Sequence, residues 1–505
     1  MNLALLAERD LSERGPRVRL WFEERSYANR DLHDASLRLA SVLSALGVAR
    51  DDRVMVLLPN CPEVLIAFPA IWRIGAVAVP VLPLLEHHEV EYIALDCAPK
   101  LIVTTVELLP KVRRISALTL VVTEGRGEPP APALSFERAL AQADTYGDAV
   151  TREGDDLAVL LYTSGTTGRP KGVMLSHLNL IANAENTYNT SRRKQREDVS
   201  LLTLPLAHSF GLGALVSGYL FGGRAILMRR FVPDLALRLI ERHRATVMAG
   251  VPTMFLSMLR VEEPYDTSSM QRWIVGAAPM SVAQIIEFEA RFGGVLHVGY
   301  GLTEASPTVA AEREGEPRKA GSTGRPLEGV EVKVVDDEGQ TLAPGEVGEL
   351  CVSGANVSLG YYGLQDETEA TFRGGWLHTG DVGYLDADGY LFVVERKKDL
   401  IIRGGFNVYP ADVEAVLRRH PDVLDCAVVG VPDPLLGEQV CACVVPRPSR
   451  QVSAEQLIAH CQGALAKYKT PRYVEFLDTL PRTPIGKVKK RELREWVLKR
   501  LAGHG

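Results

Sequence analysis

"RVMVLLPNCPEVLIAFPAIWRIGAVAVPV", residues 53–81, decides the fold. Positions 53–58 form an apolar run of strand length, and 62–74 read as a helix opening on Pro62. A second apolar run fills 76–81. Strand, helix and strand in close succession have the rhythm of a βαβ unit.

The same rhythm extends outward. Upstream, Leu32, Ala35, Leu39, Val42, Leu43 and Leu46 fall on one helical stripe, and Gly47 sits where a left-handed cap would end it. Downstream, strand candidates at 201–204, 225–228, 246–249, 272–276 and 295–298 alternate with helical stretches. A layered α/β domain with mostly parallel strands requires that pattern. From Gly321 the texture changes to short alternating runs, VEVKVV at 330–335 and GELCVSG at 348–354, which predict a small β subdomain. After the charged stretch 395–399 comes an α+β pattern: a helix from Pro410, then runs CAVVGV and CACVVP. Another helix starts near Val452, where Ser453 and Gln456 form a capping box, and the chain ends in a basic helix beyond 487. The reading is thus α/β: a large N-terminal domain over 1–397 and a small α+β C-terminal domain over 398–505, dividing at Lys398.

Composition narrows the function. A 505-residue chain with 46% hydrophobic and 24% charged residues and a net charge of -6 suits a globular protein acting on small molecules. Nucleic acid and acidic membrane are disfavoured as main partners. Seven cysteines without a Cys-x-x-Cys pair suggest a reduced, cytoplasmic chain; Cys441 and Cys443 share one strand face with no histidine nearby. The start is charged too soon for a signal peptide, and the apolar stretch 210–223 is cut by Arg224 before it could span a bilayer.

The segment LLYTSGTTGRPKGVML, 160–175, carries the chemistry. Thr163, Ser164, Thr166 and Thr167 offer hydroxyls, Gly165 and Gly168 admit close backbone approach, and Lys171 brings a positive charge. These are the parts of a polyphosphate cradle, although a plain surface loop has similar composition. The spacing misses the Walker pattern, and an apolar run follows at once, so the segment reads as a glycine-rich turn between two strands.

With these residues in view, YTSGTTGRPKG at 162–172 resembles the signature of adenylate-forming enzymes: acyl-CoA synthetases, adenylation domains of nonribosomal peptide synthetases and firefly luciferases. LPLAHSFGL at 204–212, GYGLTEAS at 299–306, GGWLHTGDVGYLDADGYL at 374–391, ERKKDLIIRGGFNVYP at 395–410 and PRTPIGKVKKREL at 481–493 resemble further family blocks in the same order. The resemblance implies ATP-driven activation of a carboxylate to acyl-AMP and pyrophosphate, then transfer of the acyl group to a thiol. It assigns the α-phosphate to Thr303, Mg2+ to Glu304 and the adenine slot to Gly276, Ala277, Ala278 and Tyr300, with Gly301 among the nucleotide contacts. Asp381 would accept from the ribose hydroxyls with Arg396 beside it, and His208 would lie near the substrate carboxylate. Lys487 would bridge carboxylate and α-phosphate during adenylation. The small domain would then swing about Lys398, bringing Gly404 and Gly405 to face the thiol substrate.

An acyl pocket of Phe210, Leu212, Val216, Val251, Ala278, Ala305 and Ser306 would hold no cation for a second carboxylate, which disfavours dicarboxylates and amino acids. The resemblance points to a fatty acyl-CoA synthetase using ATP, Mg2+ and coenzyme A on a medium or long chain, with a homodimer among the partners to consider. An aryl-CoA ligase and an acyl-AMP ligase loading a carrier protein are the alternatives.

Overall fold

The 53–81 stretch folds into strand Arg53–Leu57, helix Pro62–Arg73 and strand Val77–Pro80, with the two strands parallel and Val54 opposite Ala78. Successive strand residues feed two different cores: Val54 and Val56 join one apolar cluster, Met55 and Leu57 another. Layers cover both faces, so the strand reads as a continuous apolar run without alternation. The structure is a computed structural model that describes residues 1–164, 170–190, 198–404, 406–448, 450, 452–483 and 486–502.

This βαβ unit nucleates a seven-stranded sheet in the order Leu134–Ser135, Leu118–Val122, Leu101–Thr105, Arg53–Leu57, Val77–Pro80, Leu157–Ser164, Pro170–Ser176. Only the last strand runs antiparallel to its neighbour. Helix Asn29–Ala45 packs on Pro62–Arg73, and Gly47 beyond it has φ +82°, the left-handed geometry that glycine adopts without a Cβ clash.

A second sheet of nine strands has a parallel centre in the order Val295–Gly301, Arg272–Val275, Val247–Gly250, Val199–Leu202, Arg224–Leu227, Val18–Phe22. Antiparallel strands Thr308–Ala311 and Arg25–Ala28 flank that centre. Phe255, Trp273 and Phe288 pack edge to face beneath it, with centroids 5.0–6.2 Å apart.

The chain forms two compact units, Met1–Val332 with Val352–His378, and Lys333–Cys351 with Thr379–Gly505. Lys398 therefore lies inside the second unit. The runs VEVKVV and GELCVSG are strands Val330–Val335 and Gly348–Gly354. In the second unit, Val423–Asp433 and Gly437–Pro446 form a long antiparallel pair, joined by Ile401–Arg403, Phe406–Val408 and, in parallel, Tyr473–Phe476. Helix Ala454–Gln462 shows both hydrogen bonds of the Ser453/Gln456 capping box. Cys441 and Cys443 are buried on one face with Leu493 and Val497 of the terminal helix. Among the described residues no helix is long and apolar enough to cross a membrane.

Candidate active site

The chain order of the nine-stranded sheet reverses at Val199–Leu202: Arg224–Leu227 lies on one side and Val247–Gly250 on the other. In open α/β sheets the ligand crevice forms at the carboxyl ends of the strands beside such a reversal. Those ends lead here to His208, Val251, Gly276 and Tyr300.

Helix Ser209–Phe221 starts at this crevice with His208 as its cap; Nδ1 of His208 accepts from the Phe210 amide at 3.3 Å. A neutral ring accepting through Nδ1 carries its proton on Nε2. A Cβ on Gly276 would lie 3.4 Å from the Phe210 ring, so the adenine-slot residues and the His208 loop are neighbours. Ala277 and Ser306 hold left-handed backbone with φ 68° and 66°, a conformation that costs non-glycine residues about 1 kcal/mol and gathers at functional sites. Gly301 has a steric reason of its own: a Cβ there would sit 2.1 Å from the Pro307 carbonyl oxygen.

Leu212 and Val216, expected to line the acyl pocket, are buried. Both belong to the large core cluster with Leu215, Tyr219 and Leu220, because they share the inward stripe of the helix. Its half-buried face carries Phe210, Gly213, Ala214 and Ser217 instead.

Strand Val295–Gly301 runs into a single 3-10 turn, Thr303–Ala305. Thr303 Oγ1 donates to Ser209 Oγ at 3.2 Å, tying the turn to the first residue of the His208-capped helix. Asn183 and Asn356 both donate to the Ala305 carbonyl, at 3.2 and 3.0 Å. Glu304 accepts a hydrogen bond from the Tyr361 hydroxyl at 2.9 Å. Burial first, and the Glu304 charge second, push the Tyr361 phenol far above its ordinary range, so it stays a donor.

The serine- and glycine-rich segment does join two antiparallel strands, with Thr163 opposite Lys171. Gly165, Thr166, Thr167 and Gly168 lie outside the described residues, as does the side chain of Ser164. Lys171 pairs with Glu367, and its ammonium stands 5.1 Å from the centroid of the Tyr361 ring. One contiguous set therefore runs Glu367, Lys171, Tyr361, Glu304. Among the described residues no group of three or more His, Cys, Asp or Glu gathers to hold a metal. The single carboxylate of Glu304 fits Mg2+ of the kind held mostly by phosphate oxygens and water.

In the second unit, Asp381 and Arg396 are direct cross-strand partners on Trp376–Leu385 and Leu391–Arg396. Arg396 Nε lies 2.9 Å from Asp381 Oδ1, and the aspartate is buried. Lys487 is held to Thr483: the Thr483 amide donates to its carbonyl at 2.7 Å, its own amide donates to Thr483 Oγ1 at 3.1 Å, and Gly486 has φ +83°. Lys398 lies in the 3-10 turn Lys397–Asp399. Gly404 has φ +59°, and Gly405 lies outside the described residues.

The sequence reading missed Tyr361 and Glu367, which lie far from Lys171 and Glu304 along the chain. The sole local signal is the turn-forming Gly360-Tyr361-Tyr362-Gly363, which marks a loop and says nothing of its neighbours. It also missed Glu395, Glu414 and Lys490, three charges that meet only after folding.

Known proteins resemble this chain over most of its length. Residues 7–362 match the family model described as AMP-binding enzyme, and residues 412–487 match the AMP-binding enzyme C-terminal domain. The chain is 36% identical over 502 residues to the long-chain-fatty-acid–CoA ligase of Bacillus subtilis, covering 92% of this chain and 89% of the relative. It is 38% identical over 461 residues to a feruloyl-CoA synthase of an Amycolatopsis species, covering 90% and 91%. The crystal structure of ATP-bound MatB from Rhodopseudomonas palustris superposes with a TM-score of 0.90 at 34% identity, covering 98% of this chain and 99% of that one. The crevice at the strand ends and the matches over both parts of the chain lead to one conclusion: this chain belongs to the AMP-binding enzyme family, in the adenylate-forming superfamily, and is an AMP-forming acid–thiol ligase.

Proposed function

We propose that the enzyme joins a medium- or long-chain fatty acid to coenzyme A, using ATP and passing through an acyl-AMP. The observation that carries the reading is the contact set Lys171–Tyr361–Glu304, followed by Thr303–Ser209, which leads from the phosphate-loop strand to the helix capped by His208. Adenylation builds negative charge at phosphorus, and fixed cations and donors meet that charge without reorganising. In this reading Lys171 and the Thr163 segment hold the phosphates, Thr303 donates to the α-phosphate, and Glu304 holds Mg2+, which would neutralise phosphate charge when bound. Gly276, Ala277, Ala278 and Tyr300 take the adenine, Asp381 with Arg396 takes the ribose, and His208 attends the carboxylate.

Lys487 serves the first half-reaction by bridging carboxylate and α-phosphate. A swing about Lys398 then exchanges it for the Gly404–Gly405 segment, which faces the thiol. Aryl acids form a second reading, supported by the feruloyl-CoA synthase relative.

Pyrophosphate exchange across C2 to C18 fatty acids and aryl acids, followed by detection of the CoA thioester, tests the proposal. Fastest exchange with C8 to C16 acids supports it, and fastest exchange with cinnamate-like acids replaces it by the second reading. Release of AMP with a carrier protein but not with CoA overturns both. Lys487→Ala should lower exchange at least ~100-fold while supplied acyl-AMP is still converted to thioester. Lys398→Pro should do the reverse, because proline fixes φ.

A further inference from the structure

Lys490 is the first residue of the terminal helix Lys490–Ala502 and stands three positions after Lys487. Although a lysine, it is largely buried: its side chain is 18% exposed, and its ammonium lies 3.1 Å from Glu414 Oε1 and 3.4 Å from Glu395 Oε2. Each carboxylate is 10% exposed and is tied elsewhere. Glu414 accepts from the Val428 amide at 3.0 Å and from Arg418 at 3.2 Å. Glu395 accepts from the Ala411 amide at 3.2 Å, and from the Arg396 amide at 3.1 Å.

This buried triad is more than a stability device, because of what lies at its ends. Glu395 precedes Arg396, the partner of Asp381, on the same strand. Lys490 ends the loop that presents Lys487, a loop otherwise closed by Arg482 donating to the Gly486 carbonyl and by the bridge between Arg482 and Val488. One ammonium thus joins the strand that carries the ribose-binding pair to the loop that carries the adenylation lysine. Buried pairs of this kind are poor at adding net stability and good at fixing one arrangement among several.

We infer that Lys490 is a positioning residue for adenylation, clamping the Lys487 loop to the Asp381–Arg396 strand through Glu395 and Glu414. The inference rests on the proposed role of Lys487. Misplacement of a reacting group by about 1 Å costs up to ~100-fold in rate, so loss of the clamp acts on kcat rather than on ATP affinity.

The test compares Lys490→Met, Lys490→Arg and Lys487→Ala in the full-length enzyme. Lys490→Met is expected to lower kcat for pyrophosphate exchange about tenfold or more, with KM for ATP within about twofold and conversion of supplied acyl-AMP to thioester within about twofold. Lys490→Arg should recover most of the loss, since it restores a cation between the same carboxylates. Equal loss in both half-reactions would show a merely structural role and overturn the inference. Full exchange by Lys490→Met beside an inactive Lys487→Ala overturns this inference alone, and full exchange by Lys487→Ala overturns the underlying reading with it. Should Lys490→Met not fold, Glu395→Gln, which leaves the Glu414 pair in place, decides the matter. A drop in kcat of about threefold supports the clamp, and an unchanged kcat removes it.

Discussion

Two lysines of this enzyme meet glutamates in opposite ways. Among the described residues, Lys171 has one ion-pair partner, Glu367, whose side chain is 37% exposed, and the face of an aromatic ring. Lys490 has two carboxylates, each 10% exposed and each held by further donors. The two lysines are about equally buried, 13% exposed for Lys171 and 18% for Lys490, so the difference lies in the partner: Glu367 is the more solvated carboxylate, and a partly exposed pair contributes about 0–1 kcal/mol. The second pair of partners is built in, because both carboxylates are buried and hydrogen-bonded to the chain, and breaking a buried ion pair costs about 3–5 kcal/mol. On the proposed role of Lys171 at phosphate, a charge meant for a ligand is left with an exchangeable partner, and the charge we infer to hold the chain is over-determined.

The largest effect expected from this contrast is on stability. Glu414→Ala should destabilise the second unit by about 3 kcal/mol, since it leaves Lys490 with Glu395 alone, takes the carboxylate from Arg418 and orphans the buried Val428 amide. Glu367→Ala should stay within about 0.5 kcal/mol. Urea unfolding of the two variants side by side checks both; equal losses would break the comparison. Next in size, on the proposed role of Asp381 at the ribose, Asp381→Ala should raise KM for ATP about tenfold, or ~1.4 kcal/mol, because the ribose would lose a charged acceptor and Arg396 loses its buried partner. An unchanged KM in steady-state exchange would remove Asp381 from the nucleotide site. Tyr361→Phe is expected to raise the magnesium concentration for half-maximal exchange about fivefold, or ~1 kcal/mol, because Glu304 loses the donor that orients it. A magnesium titration with unchanged midpoint would leave Tyr361 a packing residue.

The fold was legible because its signals are local. The 53–81 unit announces itself by apolar runs of strand length around a helix that starts on proline, and the Ser453/Gln456 box forms both of its hydrogen bonds. Helix 209–221 shows the limit of such reading: its residues are apolar almost all round, so periodicity alone cannot tell which stripe faces the core. The Asp381–Arg396 pair follows from cross-strand register between two motif residues. The Glu304–Tyr361 and Lys490–Glu395 contacts instead join segments separated by long stretches of chain. Side-chain pairs at that separation have no period or spacing to betray them, and only the closed sheets bring them together.

The smallest effect is the most direct test of the exchangeable partner. Glu367 pairs with Lys171, so phosphates bound there as proposed must displace a carboxylate. Glu367→Gln keeps the size and shape of the side chain and removes the charge. The freed ammonium should then lower KM for ATP about threefold, or ~0.6 kcal/mol, the scale of a partly exposed ion pair. Salt sharpens the test: raising ionic strength screens the Glu367 pair, so the gap between variant and wild-type should narrow as salt is added. A KM that rises in the variant would mean that Glu367 holds Lys171 in its working pose. The two lysines would then be alike in kind, each fixed by its carboxylates, and exposure alone would not distinguish a ligand's charge from a structural one.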